Sequence, residues 1–118
     1  MRTLREAALL RVHISERDRH HGHPLYEAVV LKAREHGLAG ATVLRGLVGY
    51  GRSSHIHTGR ILDLSLDLPL VIEIVDDEER IAEFLPLLDQ MVGHGLVTLE
   101  KVRVLRDRPA DAQVPHSQ

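Results

Sequence analysis

Leu10, Val12 and Ile14 alternate with Arg11, His13 and Ser15, so Leu9 to Ser15 has the two-residue period of a strand with one apolar face. A polar stretch, Glu16 to His23, leads to Pro24, whose fixed φ suits a first helical turn, and Gly37 is placed to end the helix that follows. Within that helix Leu25, Tyr26, Val29, Val30 and Ala33 share one side and Glu27, Arg34 and Glu35 the other. Ala41 to Tyr50 reads as a second strand, with Gly46 and Gly49 marking a bulge or a close backbone approach. Leu70 to Val75 reads as a third, started by Pro69. Asp76 and Asp77 are then placed to cap a helix and, with Glu78 and Glu79, put negative charge at its positive end. Ile81, Phe84, Leu85, Leu88, Met91 and Val92 repeat at helical spacing, with a bend expected at Pro86 and a stop at Gly93 and Gly95. Leu96 to Val104 is the last strand, and its apolar phase slips near Glu100 and Lys101, which predicts a bulge or a break there.

The order strand, helix, strand, strand, helix, strand predicts a ferredoxin-like βαββαβ α+β fold: a four-stranded antiparallel sheet with two helices on one face. Residues 1–6 read as an N-terminal extension, 7–105 as the domain and 106–118 as a flexible tail. Val71 and Val75 point away from Leu70, Ile72 and Ile74, while Val43 and Leu47 oppose Leu44 and Val48, so both sheet faces carry aliphatic side chains. Two helices cover one face only. The other predicts a homo-oligomer.

Composition narrows the function classes. A chain of 118 residues can build one core without staples, and with 3% aromatic residues that core is aliphatic and base-stacking platforms are nearly excluded. The formal net charge of -2 gives no global attraction to nucleic acid, so no nucleic-acid partner is expected and any anion site must be a local cluster. The absence of cysteine removes thiol catalysis and thiolate metal sites and agrees with a cytoplasmic location. No stretch approaches the length of a membrane span.

Gly51 to Leu68 is much longer than a hairpin requires, and loops of that length in compact domains are usually functional or disordered. It gathers Gly51, Arg52, Ser53, Ser54, His55, Ile56, His57, Thr58, Gly59 and Arg60, a set of donors suited to an anion. Ile61, Leu62, Leu64, Leu66 and Leu68 follow as an apolar stretch that could form a short helix docked on a neighbour. Arg45, Arg52 and Arg60 could converge on a phosphate, since arginine forks make bidentate contacts and glycines allow close backbone approach.

The runs Gly40 to Gly46, Gly49 to Thr58 and Asp67 to Asp76 resemble a widespread prokaryotic family of PII-like proteins, over roughly residues 7 to 105. That family is similar in fold to the PII nitrogen-regulatory signal proteins. The resemblance implies a homotrimer with ligand clefts between subunits and a protruding loop, residues 50–68, that meets a protein target such as a membrane transporter. Gly49, Tyr50, Gly51 and Arg52 match the Gly-aromatic-Gly-Arg opening of the PII loop, and Gly93 and Gly95 stand where PII proteins hold nucleotide phosphates. PII proteins follow that turn with a phosphate-binding lysine, where this chain has Leu96; Lys101 and Arg103 could supply charge from the last strand. The expected ligand is a small anionic metabolite, with an adenine nucleotide as the candidate cofactor, bound by Arg45, Gly49, Tyr50, Gly51, Arg52, Ser53, Ser54, His57, Thr58, Gly93, Gly95, Lys101 and Arg103.

Two other chemistries compete. Nine histidines, with His20, His21 and His23 close together and His55 and His57 alternating on the long loop, suggest a metal-responsive trimer, though no carboxylate or cysteine completes a ligand set. Ser53 or Ser54 beside His55 or His57 could be drawn as a dyad, but nothing orients the imidazole, and no catalytic residues are expected. His13 is expected at an interface, and Tyr26 in the core with its hydroxyl at an edge.

Overall fold

The alternation of Leu10, Val12 and Ile14 continues N-terminally, and in the computed structural model strand β1 spans Arg5–Ser15. The structure describes residues 4–50, 56–58 and 68–107, with backbone alone for 48–50 and 56–58. After β1 come a two-residue hairpin, β2 (Arg19–His20) and β3 (His23–Pro24), helix α1 (Leu25–Glu35), β4 (Thr42–Arg45), β5 (Val48–Tyr50), β6 (Ile56–Thr58), β7 (Pro69–Asp76), α2 (Glu78–Met91) and β8 (Leu96–Val104). The main sheet has the order β4-β7-β1-β8, antiparallel throughout. This is the ferredoxin-like arrangement expected from the element order.

The core lies between the sheet and its helices. Leu10, Val12, Ile72 and Ile74 from the central strands meet Val29 and Ala33 of α1 and Ile81, Phe84 and Leu88 of α2, all buried, with Phe84 wholly enclosed. Tyr26 and Val30 pack against its margin. Helix α1 starts after Pro24 and ends as Gly37 takes φ 76°. There Leu38 N–H donates to Ala33 at 3.1 Å and Gly37 N–H to Arg34 at 3.0 Å, the paired bonds of a Schellman motif, and Leu38 is buried behind it.

Three local expectations change. The stretch Ala41 to Tyr50 is two strands in different sheets, split at Gly46: β4 joins β7, whereas β5 pairs with β6. A Cβ on Gly46 would lie 2.8 Å from Pro69 Cγ, so the close approach expected of a strand glycine is what the chain uses to leave the sheet. The last strand carries no bulge; its register with β1 is continuous from Arg5↔Val104 to His13↔Leu96. Its phase slips because β8 is an edge strand, exposed on both sides over most of its length, and no core enforces alternation there. Helix α2 continues through Pro86, as the regular spacing on both sides of it predicts, with the proline on the exposed side, where water can satisfy the carbonyl that loses its donor.

The third change concerns Asp76 and Asp77. Asp77 is the N-cap residue of α2, yet it makes no side-chain cap bond, while Glu78 and Glu79 supply first-turn negative charge. Asp76, 6% exposed, instead accepts the Asp77 N–H at 2.7 Å and the Ala39 N–H at 2.8 Å, with Arg80 Nε 3.5 Å away. One buried carboxylate thereby joins the end of β7, the start of α2 and the loop after α1.

Losing a buried acceptor strands the donors it served, so Asp76→Ala should lower unfolding free energy by about 2 kcal/mol in urea titration. Gly95 has φ 117°, and a Cβ there would meet His13 O at 2.6 Å, both incompatible with a side chain. Gly95→Ala should therefore destabilise by about 1–3 kcal/mol, whereas Gly93→Ala, with open space around it, should cost well under that.

Candidate functional site

Antiparallel pairing brings Ser15 opposite Pro69, Arg45 opposite Leu70 and His13 opposite Leu96, so the end of β1, the end of β4 and the starts of β7 and β8 lie at one end of the sheet. Three connections meet there: the loop after β1, the segment between β4 and β7, and the turn between α2 and β8. Glu16 N–H donates to Leu68 O at 2.8 Å and Gly46 N–H to Pro69 O at 2.8 Å, which holds both ends of the 46–68 segment. Asp18 orders the first loop, its carboxylate accepting the Ser15 N–H at 2.9 Å and its carbonyl the Leu25 N–H at 2.8 Å. The glycine turn is seated beside them, because Gly95 backs onto His13 O and His94 Nε2 lies 3.5 Å from Asp18 Oδ1.

Within the segment, β5 and β6 form a two-stranded ribbon with Val48 opposite Thr58, Gly49 opposite His57 and Tyr50 opposite Ile56. The ribbon places the backbone of Gly49, Tyr50, His57 and Thr58 together. Gly51, Arg52, Ser53, Ser54 and His55, like Arg60 and the stretch Ile61 to Asp67, fall outside the described residues. Leu68 is described and is buried at the segment's return.

Of the expected ligand residues, Arg45, Gly93 and Gly95 stand at this end of the sheet. Arg45 does not extend free into solvent; its guanidinium donates to Glu16 Oε2. Lys101 pairs with Ala8 and Arg103 with Glu6, so Lys101 lies five residues along β8 from Leu96, about 17 Å away at 3.3–3.4 Å per residue. Within one chain those two basic residues are apart from the turn. Sequence reading passed over Glu16, Asp18 and His94, because a polar loop gives no sign that its carboxylates reach across to another connection. His20 and His23 are cross-strand partners in the β2–β3 hairpin, but no group of three metal-ligating side chains occurs among the described residues.

An apolar groove of about 440 Å³ runs between α2 and β8, lined by Leu85, Pro86, Val92 and Val97 among others, with Asp89 its charged side chain. Its chemistry does not suit an anion. The sheet face opposite the helices differs again. Arg11 sits at its middle, with Nε 2.9 Å from Glu73 on β7 and Nη1 2.6 Å from Glu100 on β8. The hydrogen bond that Arg11 donates to Glu73 first, and the charge of Glu100 beside it, raise the Arg11 pKa further, so the guanidinium stays charged. Around this cluster Leu44, Val75 and Leu96 are exposed, and His13 shares the same face next to Val71 and Leu96. No helix among the described residues is long and apolar enough to cross a membrane.

Comparison with solved structures gives the same fold. CPII, a nitrogen regulatory PII-like protein from Thiomonas intermedia K12 bound to ADP, AMP and bicarbonate, superposes with TM-score 0.64 at 18% identity, over 90% of this chain and 94% of CPII. The same protein bound to ADP and bicarbonate gives TM-score 0.61 at 21% identity, over 90% and 95% of the two chains. Sequence relatives are closer. A UPF0166 protein of Aquifex aeolicus is 41% identical over 99 residues, covering 82% of this chain and 91% of the relative. One from Methanocaldococcus jannaschii is 32% identical over 102 residues, covering 86% and 94%. The family model DUF190, described as "Uncharacterized ACR, COG1993", matches residues 7–104, and with these relatives it establishes that the chain belongs to the DUF190 (UPF0166) family, on a PII-like ferredoxin fold.

Proposed function

We propose that this protein is a cytoplasmic regulatory subunit that binds a small anionic metabolite, with adenine nucleotides the first candidates, and reports its presence to a protein target through residues 50–68. The observation that carries this reading is the convergence, at one end of the sheet, of both ends of the 46–68 segment and the glycine turn before β8. A ligand seated there touches the segment and the rigid sheet together, and it signals if it binds the segment's conformations unequally. The ligands of CPII, ADP, AMP and bicarbonate, are the anions that this reading puts first. Binding, not catalysis, is the role it assigns.

Assembly follows from the open face. Leu44, Val75 and Leu96 leave apolar surface around a charged centre, and in the proposed homotrimer these faces meet, while Lys101 and Arg103, paired with Ala8 and Glu6, stay on the helix side of the β8 edge. Leu96, in place of the PII lysine, then leaves phosphate contacts to arginines and backbone amides.

Thermal unfolding against ADP, AMP and ATP, with and without magnesium, tests the reading. A ligand at a hundredfold over its Kd adds about 2.7 kcal/mol of stability by mass action, a rise of about 10 °C. At least one nucleotide should give that rise, and Arg52→Ala should abolish it. No shift with any nucleotide contradicts the adenine-nucleotide reading.

A further inference from the structure

At the candidate end of the sheet, two described basic side chains are already matched by carboxylates of one loop. Glu16 accepts the Arg45 guanidinium, and Asp18 lies beside His94. The two carboxylates do different work. Asp18 is 17% exposed by side chain and is built into the loop through the Ser15 N–H. Glu16 is anchored by its backbone, through Leu68 O, while among the described residues its side chain serves Arg45: Oε1 is buried and has no hydrogen-bond partner among them. A carboxylate with one oxygen paired and the other desolvated without a donor is held at a cost.

We propose that Glu16 is an internal competitor for the anion, a carboxylate that occupies Arg45 until a ligand anion displaces it. The inference rests on the reading of Arg45 as a ligand residue. Exposure favours exchange: the Arg45 and Glu16 side chains are 55% and 31% exposed, so the pair belongs to the weak, solvent-screened class, whereas a phosphate offers the guanidinium a bidentate partner of higher charge. Position gives the exchange a consequence. Glu16 holds the return of the 46–68 segment through its backbone and the residue before its departure through its side chain, so freeing Arg45 releases one of Glu16's two ties and leaves the Gly46–Pro69 bond in place. Glu16 thereby sets both the affinity for the anion and the link between occupancy and the segment. Its role is positioning: it touches Arg45, and the ligand feels it through Arg45.

Calorimetric titration of the full chain with ADP tests this on wild type, Glu16→Gln, Arg45→Ala and the double variant. Glu16→Gln keeps the backbone bond and the side-chain size but removes the competing charge, and should tighten ADP binding by about fivefold, the upper end for an exposed pair. Arg45→Ala should weaken binding, and adding Glu16→Gln to it should change nothing further, an effect that general loosening of the loop would not produce. If wild type binds ADP and Glu16→Gln binds equally or more weakly, or tightens binding equally without Arg45, the competitor role is overturned while the sensor reading stands. If neither wild type nor Glu16→Gln binds ADP, the nucleotide reading fails and the inference falls with it.

Discussion

Everything in this fold hangs on β1 running through the middle of the sheet. It pairs with β7 over Ala8 to Ser15 and with β8 over Arg5 to His13, so its alternate residues must satisfy two environments at once. Leu10, Val12 and Ile14 enter the core under the helices, and Leu9, Arg11 and His13 form the floor of the open face. A slip of one residue would exchange the two sets and bury the Arg11 guanidinium. Arg11 therefore fixes the register as much as the aliphatic residues do: it reaches Glu73 on one neighbour and Glu100 on the other.

The same strand positions the candidate site. Where β1 ends at Ser15, the chain turns through Glu16 and Asp18, and these reach the 46–68 segment and the glycine turn respectively. The site end is thus assembled from backbone bonds and two carboxylates held against rigid strand termini. Elements so placed can respond to a ligand without disturbing the core, which is centred on Phe84 and Leu10 and lies on the helix side of the sheet. Asp76 closes the opposite end, where it ties β7, α2 and the loop after α1.

Most of this architecture was legible in the sequence because it rests on periodicity. The alternation at Leu10, Val12 and Ile14, the spacing of Ile81, Phe84 and Leu88, and the stop at Gly37 each express a burial or backbone requirement that a single residue type reveals. The misreadings share a cause. The continuity of β8 and the splitting of the chain at Gly46 depend on what lies beside the strand, an empty edge in one case and Pro69 in the other. Asp76 read as a cap because its neighbours are acidic, but its partner Ala39 is distant in sequence. The site was half legible: its glycines and Arg45 stood out by type, whereas Glu16, Asp18 and His94 acquire meaning only when the fold brings three connections to one end.

The central claim is that the open face is a subunit interface and that the ligand site is completed between copies. Multi-angle light scattering on the purified chain at micromolar concentration addresses it without any ligand. The account predicts a mass near that of a trimer of the 13.2 kDa chain, falling to the monomer's when Leu96→Glu and Leu44→Glu place charge on the face. A wild-type mass of 13.2 kDa would contradict it.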